Sequence, residues 1–421
     1  MPPDKMNIGF VSTRIAGTDG VSLEVSKWAD VLMEMGHNCF YFAGECDRPA
    51  EVSFVEPKAH FLNDKVRQIT QDLFDDFRRS SATTGHVHEV RKVLKEQLYE
   101  FKETFNLHAL IAENALSLPM NIPLGIALAE LVAETETPVI GHHHDFTWER
   151  SRYAVHAASD YLQSSFPPDM RMVQHAVINS FAARQLAWRR GVASDLIPNV
   201  MDFEDPDPTA GNKAGELREL LGIAEDQWMI LQPTRIVPRK RIERSMELVR
   251  RLGCDRCPLV ITHAAGDEGR DYEEYLRNYA DMTGVQTIFA SDRVDQERRQ
   301  TEDGKQIYSL ADAYRAADLV SYPSQVEGFG NAFLEAIFYK KPIVMSSYEI
   351  FQTDIQPKGF DVITFDQFIT PETVRRADHI LQRQEEATEM VEHNFEVGKR
   401  YYSFGRLRHG LTALLDRVRS M

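Results

Sequence analysis

The stretch DLVSYPSQVEGFGNAFLEAI, residues 318–337, contains the strongest pattern in this chain. Its apolar start predicts a β-strand, and the Pro-Ser pair that follows predicts a turn. Glu327 comes after the turn, and Gly328 and Gly330 allow a ligand to approach the bare backbone. The apolar run after Gly330 predicts a helix, whose first N–H groups can face an anion such as a diphosphate. Because ligands of open parallel sheets bind outside the carboxyl ends of the strands, we expect a ligand site at Glu327.

A second carboxylate, Glu335, follows about two helical turns after Glu327 and lies inside an apolar run. We expect it on about the same helix face, and a carboxylate among apolar residues needs a partner. Either glutamate alone is as consistent with a surface turn or a capping residue. The order of strand, turn, glycines and two carboxylates favours a binding site.

This string resembles the Glu, seven residues, Glu motif of the retaining glycosyltransferases of family 4. The resemblance implies an α/β protein of the GT-B fold, in which two Rossmann-like domains with parallel sheets face each other. It implies an acceptor domain at residues 1–203, a nucleotide-sugar donor domain at 204–395 and a C-terminal helix at 396–421 that packs back on the first domain. Residues 204–212, rich in Pro and Asp, have the composition of a linker.

Composition bounds the function further. The chain has 421 residues, 43% of them hydrophobic and 27% charged, which is ordinary for a globular protein of two or three domains. Its net charge of -16 argues against a general nucleic-acid binder. We expect no membrane span and no secretory segment, because no apolar run has the required length. We expect a cytoplasmic protein whose four cysteines are free thiols, and a homo-oligomer is left open.

The N-terminal residues predict a βαβ unit with a glycine-bearing first turn, from a strand near residues 7–12 to a strand at 38–43. The turn lacks the GxGxxG spacing of a dinucleotide fingerprint. Taken alone it is as consistent with a simple tight turn as with a ligand loop. In family 4 the matching loop lies against the donor diphosphate and sugar, which implies that role for Gly20.

Three consecutive histidines, His142, His143 and His144, follow a predicted strand that starts at Val139. Along a strand His142 and His144 share a face, and His143 points away. A metal site, hydrogen-bonded structural histidines and an active-site imidazole are the competing interpretations. We expect no metal, because adjacent positions cannot all converge on one ion. The resemblance implies that His144, with His142 as second choice, lies near the donor sugar at the cleft between the domains. The residues that we assign to the acceptor are His142, Asp145, Arg150 and Asn114.

The segment PTRIVPRKRIER, residues 233–244, is the densest basic cluster of this acidic chain. Such a run is usually a solvated helix face, but its place between a strand and a helix favours an anion site. It resembles the family's Arg, four residues, Lys clamp for the donor diphosphate, which gives Arg235 and Lys240. Arg241 stands where the family often has glycine.

The resemblance also gives roles to the remaining site residues. Glu327 is expected to hold hydroxyls of the donor sugar, and Glu335 those of the ribose. Phe289 is expected to pack on the base, whose identity stays open because a charged insertion at 294–306 follows. The catalytic set is His144, Glu327, Arg235 and Lys240; the donor-binding set is Gly20, Glu335, Gly328, Phe329, Gly330, Asn331 and Phe289.

The reaction implied is transfer of a hexose from a nucleotide diphosphate sugar to a hydroxyl, with retention at the anomeric carbon and without a cofactor or essential metal. We expect a small soluble acceptor, a sugar phosphate or a glycerate-type precursor, because the chain has no basic amphipathic membrane helix. In this it is similar to family members of the sucrose-phosphate synthase or mannosylglucosyl-phosphoglycerate synthase type. The alternatives are a nucleotide-sugar epimerase and a non-catalytic sugar-nucleotide-binding protein.

Overall fold

The structure is a computed structural model that describes residues 5–17, 19–205, 213–253, 256–265 and 270–421. The chain divides into two compact units, the first formed by residues 1–200 and 404–421 and the second by residues 201–403. Most of the predicted linker and the predicted thiol of Cys254 lie outside the described residues. Cys39 and Cys46 are free thiols, as predicted.

The strands are short, and most of them coincide with apolar runs of the sequence. They are β1 (Asn7–Val11), β2 (Asn38–Ala43), β3 (Ser53–Val55), β4 (Ala109–Glu113), β5 (Val139–His143), β6 (Val173–Val177), β7 (Asp195–Leu196), β8 (Ile230–Gln232), β9 (Leu259–Ile261), β10 (Thr287–Phe289), β11 (Val294–Asp295), β12 (Arg299–Gln300), β13 (Gln306–Ser309), β14 (Leu319–Tyr322), β15 (Ile343–Ser346) and β16 (Ile363–Phe365).

The α-helices alternate with the strands through most of the chain and then follow one another at its end. They are α1 (Gly20–Glu34), α2 (Asp64–Phe74), α3 (Ser81–Thr104), α4 (Ile122–Thr135), α5 (Ser159–Ser165), α6 (Ser180–Arg190), α7 (Ala214–Leu220), α8 (Ile242–Leu252), α9 (Arg270–Thr283), α10 (Leu310–Ala316), α11 (Asn331–Phe338), α12 (Pro371–Gln382), α13 (Gln384–Tyr402) and α14 (Phe404–Ser420).

Each unit is built on a parallel sheet. The first has seven strands in the order β3-β2-β1-β4-β5-β6-β7, and the second has six in the order β10-β9-β8-β14-β15-β16. The crossover helices bury apolar faces, as α8 does with Ile242, Met246 and Val249. The predicted doubly wound architecture is therefore present in both units. The charged insertion at 294–306 forms most of a separate three-stranded sheet, β11-β13-β12.

The division into units differs from the predicted domain limits at 203 and 395. Phe203 belongs to the second unit, where its ring lies 5.1 Å from that of Phe395. Residue 395 lies inside α13, which remains in the second unit up to Tyr402. Of the predicted C-terminal segment 396–421, the part in the first unit is α14, and Leu411 and Leu414 are among the residues that it buries there. Aromatic packing around Phe203, which is not visible in a pattern of single residues, places the limits at these positions.

Candidate active site

The first polar cluster lies where β4 and β5 end. These strands are parallel neighbours, and their register places Glu113 beside His142. The Glu113 carboxylate accepts hydrogen bonds from Nδ1 of His142, which lies 2.9 Å from Oε2 and 3.1 Å from Oε1, and from Nε2 of His144 at 3.2 Å. Glu113 is 1% exposed. One buried carboxylate thus holds both histidines.

The alternation predicted for the three histidines is confirmed. His142 and His144 turn to Glu113, whereas His143 turns away and its Nε2 lies 2.9 Å from Nδ1 of His175. His142 is fully buried and its ring stacks on Trp28 at 4.0 Å between centroids. His144 keeps 8% of its side chain exposed. Of the two candidates His144 is therefore the one that can reach a ligand, and the burial of His142 favours a role in holding Glu113.

The charges of this cluster are coupled. Burial disfavours the ionised form of Glu113, but the two imidazoles outweigh it and lower the pKa of Glu113 to about 2. Burial also acts against a charged His144, yet the contact with Glu113 raises the pKa of His144. Burial lowers the pKa of His142 despite the same carboxylate. Glu113 therefore favours the protonated form of His144, while burial favours the neutral form of His142.

Glu113, His142 and His144 are also the group in the described part of the chain whose ligand atoms have the spacing of a metal site, all within 4.8 Å of one another. His142 and His144 converge because they share a strand face and Glu113 joins them from the next strand, an arrangement that reasoning on adjacent positions did not consider. Hydrogen bonding by a carboxylate to two imidazoles accounts for each contact without an ion. Glu113 was not predicted, although it ends an apolar strand beside Asn114.

The other acceptor candidates lie in the loop after β5. Asn114 has a positive φ of 55°, and its Oδ1 accepts hydrogen bonds from the backbone N–H of His144 at 2.8 Å and of Asp145 at 3.3 Å. Its side chain therefore fixes the course of the histidine loop. Asp145 pairs with Arg150 at 2.6 Å, and the Arg150 side chain is 40% exposed. Arg150 is thus the acceptor candidate most open to a ligand.

Gly20 is the first residue of α1, which Asp19 caps. The Asp19 carboxylate accepts hydrogen bonds from the N–H groups of Val21 and Ser22 and pairs with Arg14 at 2.9 Å. A carboxylate thus stands where the resemblance places the donor diphosphate. A phosphate at this turn has to displace Asp19 or bind the N–H of Gly20 itself.

The second polar cluster lies beyond β8 and β14, which pair in parallel in the second unit. Lys240 is buried and donates a hydrogen bond to Glu327, and Arg239 lies 3.4 Å from the same carboxylate. Burial opposes ionisation of Glu327, but Lys240 and Arg239 prevail and lower its pKa. The Lys240 ammonium also lies 5.3 Å from the centroid of Tyr322. The two predicted catalytic residues Lys240 and Glu327 are therefore brought together and contact each other directly.

Arg235 and Arg241 flank this pair differently. Arg235, the other predicted half of the clamp, is exposed. Arg241 has a positive φ of 50°, a conformation that glycine adopts without strain, and this explains why the family often has glycine here. Its side chain donates a hydrogen bond to the carbonyl of Gln367. Arg241 is therefore directed to a neighbouring loop, and Arg235 is the open cation of the segment.

The glycine segment before α11 is more enclosed than predicted. Gly330 has a φ of +115°, and a Cβ there would lie 2.2 Å from the Tyr348 hydroxyl, which donates a hydrogen bond to the Phe329 carbonyl. Phe329 is 3% exposed and packs on Tyr402 with 5.2 Å between centroids. Phe329 is a core residue in this structure, whereas Gly328 and Asn331 are half-buried. Because a side chain at position 330 would collide with Tyr348, the packing of the protein itself requires glycine there, whether or not a ligand binds.

Glu335 and Phe289 have partners that the sequence did not suggest. Glu335 lies on α11, which begins at Asn331, so that Glu327 belongs to the preceding loop and not to the same helix face. Its Oε2 accepts a hydrogen bond of 2.6 Å from Tyr314. The guanidinium of Arg277 lies 3.8 Å from the centroid of Phe289. One face of Phe289 is thus already covered by a cation.

Comparison with known proteins identifies the family. A family model described as "Glycosyl transferases group 1" matches residues 214–395, which include Arg235, Lys240 and Glu327. A Thermotoga maritima protein named mannosylglucosylglycerate synthase is 33% identical over 435 residues, covering 96% of this chain and 98% of that protein. The chain belongs to the group 1 glycosyltransferases. The predicted family and the prediction of an enzyme are thereby confirmed.

Solved structures confirm the fold of this glycosyltransferase. Sucrose-phosphate synthase from Thermosynechococcus elongatus aligns with a TM-score of 0.69 at 13% identity, covering 99% of this chain and 100% of that one. The Anabaena protein HepE in complex with UDP-glucose aligns with a TM-score of 0.62 at 13% identity, covering 99% and 100%. The GT-B prediction is confirmed. Within the described ranges, no helix of this glycosyltransferase combines the length and apolar character that crossing a membrane requires.

Proposed function

We propose that this glycosyltransferase moves a hexose from a nucleotide diphosphate sugar to a hydroxyl of a glycerate-type acceptor, with retention at the anomeric carbon. One observation carries the proposal: a buried lysine paired with a partly buried glutamate, beside an exposed arginine, at the carboxyl ends of β8 and β14. A diphosphate is the ligand that suits such cations, since arginine and lysine are the usual partners of phosphate oxygens.

The donor is assigned to the second unit. Arg235 and Lys240 neutralise the diphosphate, and Glu327, which is ionised and acceptor-only, receives hydrogen bonds from sugar hydroxyls. In the structure Lys240 donates to Glu327, so donor binding requires Lys240 to be shared between this carboxylate and a phosphate oxygen. Glu335, aligned by Tyr314, receives the ribose hydroxyls. The HepE structure with UDP-glucose supports a nucleotide sugar as the donor class.

The acceptor is assigned to the first unit. The relative's name, mannosylglucosylglycerate synthase, supports a glycerate-type acceptor. Such a molecule carries a carboxylate, and two basic side chains stand near the end of β5: His144, whose pKa Glu113 raises, and Arg150, which is 40% exposed. His144 is assigned the additional role of stabilising the transferring sugar. Its contact with a donor sugar stays a prediction.

The chemistry is the departure of the leaving group. The bond between the anomeric carbon and the diphosphate oxygen breaks, a bond from the acceptor oxygen forms on the same face, and the acceptor proton passes to the leaving phosphate oxygen. Preorganised cations aimed at the charge that grows on the diphosphate are the largest expected contribution, on the order of 3 kcal/mol for a key group. Arg235 and Lys240 supply that charge, and we propose that no divalent ion is required.

The test is a product assay with GDP-mannose, UDP-glucose and ADP-glucose, each offered with glycerate, glucosylglycerate and 3-phosphoglycerate. We expect one donor to be consumed only with an acceptor present, and the new anomeric proton to show by NMR the configuration of the donor. An inverted product contradicts retention. Conversion of the donor sugar without any acceptor favours the epimerase alternative, and a donor that binds but is transferred to none of these three carboxylate-bearing acceptors contradicts the acceptor class.

A further inference from the structure

His263 stands beside the basic segment, although no sequence pattern singled it out. It lies two residues beyond β9, whose register with β8 pairs Ile261 with Gln232. The loops after these strands remain joined, because the N–H of Ile236 donates to the carbonyl of Ala264 at 3.3 Å. Arg235 directly precedes Ile236, and His263 directly precedes Ala264. Arg235 and His263 are therefore brought side by side at the carboxyl edge of the sheet.

The chemical state of His263 is set by this position. Burial comes first, and the charges of Arg235 and Lys240 add to it, so that the pKa of His263 falls to about 4. Asp295 acts in the opposite direction and is outweighed. At neutral pH His263 is therefore an uncharged imidazole that experiences the positive charge of both cations. A diphosphate bound by these cations would reverse the sign of the charge that the imidazole experiences.

The ring is already oriented for such a change. Nδ1 of His263 lies 2.8 Å from the Thr262 hydroxyl, which can donate a hydrogen bond to it or accept one from it. A second proton on the ring therefore needs only a rotation of the Thr262 hydroxyl. Nε2 is then left as a donor to a ligand oxygen.

We propose that His263 is a further binding residue of the donor diphosphate, to which its Nε2 donates a hydrogen bond as the ring takes up one proton from solvent. The inference rests on the proposed function and adds a residue to its donor site. It makes donor binding tighter as the pH falls, because the bound state holds one more proton than the free state.

Isothermal titration calorimetry with the three nucleotide sugars tests this proposal. Their diphosphates are fully ionised between pH 5.5 and 7.5, so a proton that is taken up there goes to the protein. For the nucleotide sugar that binds, measured at pH 5.5 in two buffers of different ionisation enthalpy, we expect uptake of about half a proton or more. The affinity should rise at least about twofold from pH 7.5 to pH 5.5.

His263→Gln keeps a hydrogen-bond donor but cannot take the proton, and both effects should disappear in this variant. His379→Gln is the matched control, since His379 is an exposed histidine of the same unit, paired with Glu386; it should retain both effects. His263→Asn replaces the Gln variant if thermal unfolding shows that the latter is not folded.

Proton uptake that is absent from the wild type, or unchanged in His263→Gln, overturns the role of His263 while leaving the donor site in place. Failure of all three nucleotide sugars to bind the wild type overturns the proposed function, and this inference falls with it.

Discussion

Each unit keeps a carboxylate at the carboxyl edge of its parallel sheet, buried in the first unit and partly buried in the second, but the two units neutralise it with different bases. Glu113 is held by two imidazoles, and Glu327 by an ammonium and a guanidinium. Imidazoles change charge near neutral pH, whereas arginine stays charged throughout the physiological range. Burial lowers the pKa of Lys240, and the Glu327 carboxylate acts in the opposite direction. The first cluster therefore depends on imidazoles, and the second on a buried ammonium and a guanidinium.

Lys240→Ala should show the largest effect, because it removes the buried cation of the second cluster. We expect kcat/KM to fall about a hundredfold, in line with the contribution of a preorganised charge to phosphate departure. The melting temperature should also fall, since Glu327 loses its buried partner. Lys340→Ala, which removes an exposed lysine of the same unit that pairs with Glu392, is the control and should change neither value. Unchanged kinetics in Lys240→Ala would remove the diphosphate clamp from the proposal.

Glu113→Ala is the corresponding test of the first cluster. It leaves His142 and His144 without their common acceptor in a buried position, and we expect a loss of about 3 kcal/mol in the free energy of unfolding. Urea denaturation at pH 7 measures it. Glu103→Ala, an exposed glutamate at the end of α3, should stay close to the wild type. A loss as small as that of the control would show that the carboxylate does not organise the histidines.

Acid should lower the free energy of unfolding of the first unit in two steps, one from His175 and one from Glu113. The pKa of His175 is lowered by burial from 6.5 to about 4 and that of Glu113 from 4.5 to about 2 by its imidazoles, which outweigh burial. Both groups bind protons more readily in the unfolded chain, so stability is present above the unfolded pKa and is lost as the pH falls. His175 acts between pH 6.5 and 4, and Glu113 between pH 4.5 and 2. The free energy of unfolding, measured by urea denaturation from pH 7.5 to 4, should fall less steeply in His175→Gln, by up to about 1.4 kcal/mol per pH unit.

The control for this series is His393→Gln, an exposed histidine of the second unit that bonds the Gly359 carbonyl. Its pH dependence should match that of the wild type. If the His175 variant has the same steepness as this control, buried imidazoles do not set the acid response.

Removal of metal should have the smallest effect. If hydrogen bonds alone account for the Glu113 cluster and cations replace a divalent ion in the second unit, EDTA should change the transfer rate by less than about twofold. Complete loss of activity that one added metal restores would assign the ion to Glu113, His142 and His144, and would end the contrast between the two clusters.

Much of the fold followed from local pattern. The alternation of apolar strands and amphipathic helices predicts two parallel sheets, and the second strand, at 38–43, has the predicted limits. Gly191 ends α6 in the left-handed conformation, which is the usual place of glycine after a helix. The short strands β3, β7, β11, β12 and β16 were not predicted.

The site was predicted unevenly for a physical reason. Lys240, Glu327 and His144 stand directly after apolar strands or turns, and the rule that ligands meet strand ends finds such positions. Glu113, Tyr314 and His263 act through contacts with residues distant in sequence, which no local spacing reveals. Phe329 was assigned to the donor because it lies inside the motif, but its apolar ring is buried against Tyr402.

The sequence by itself determined the family, the parallel α/β architecture and the residue types available at each strand end, because these depend on local pattern and motif order. Tertiary structure alone decided which of those residues touch. It paired Lys240 with Glu327, joined two histidines through Glu113 and placed a neutral His263 beside Arg235, because strand register and burial set both the neighbours of a side chain and its charge.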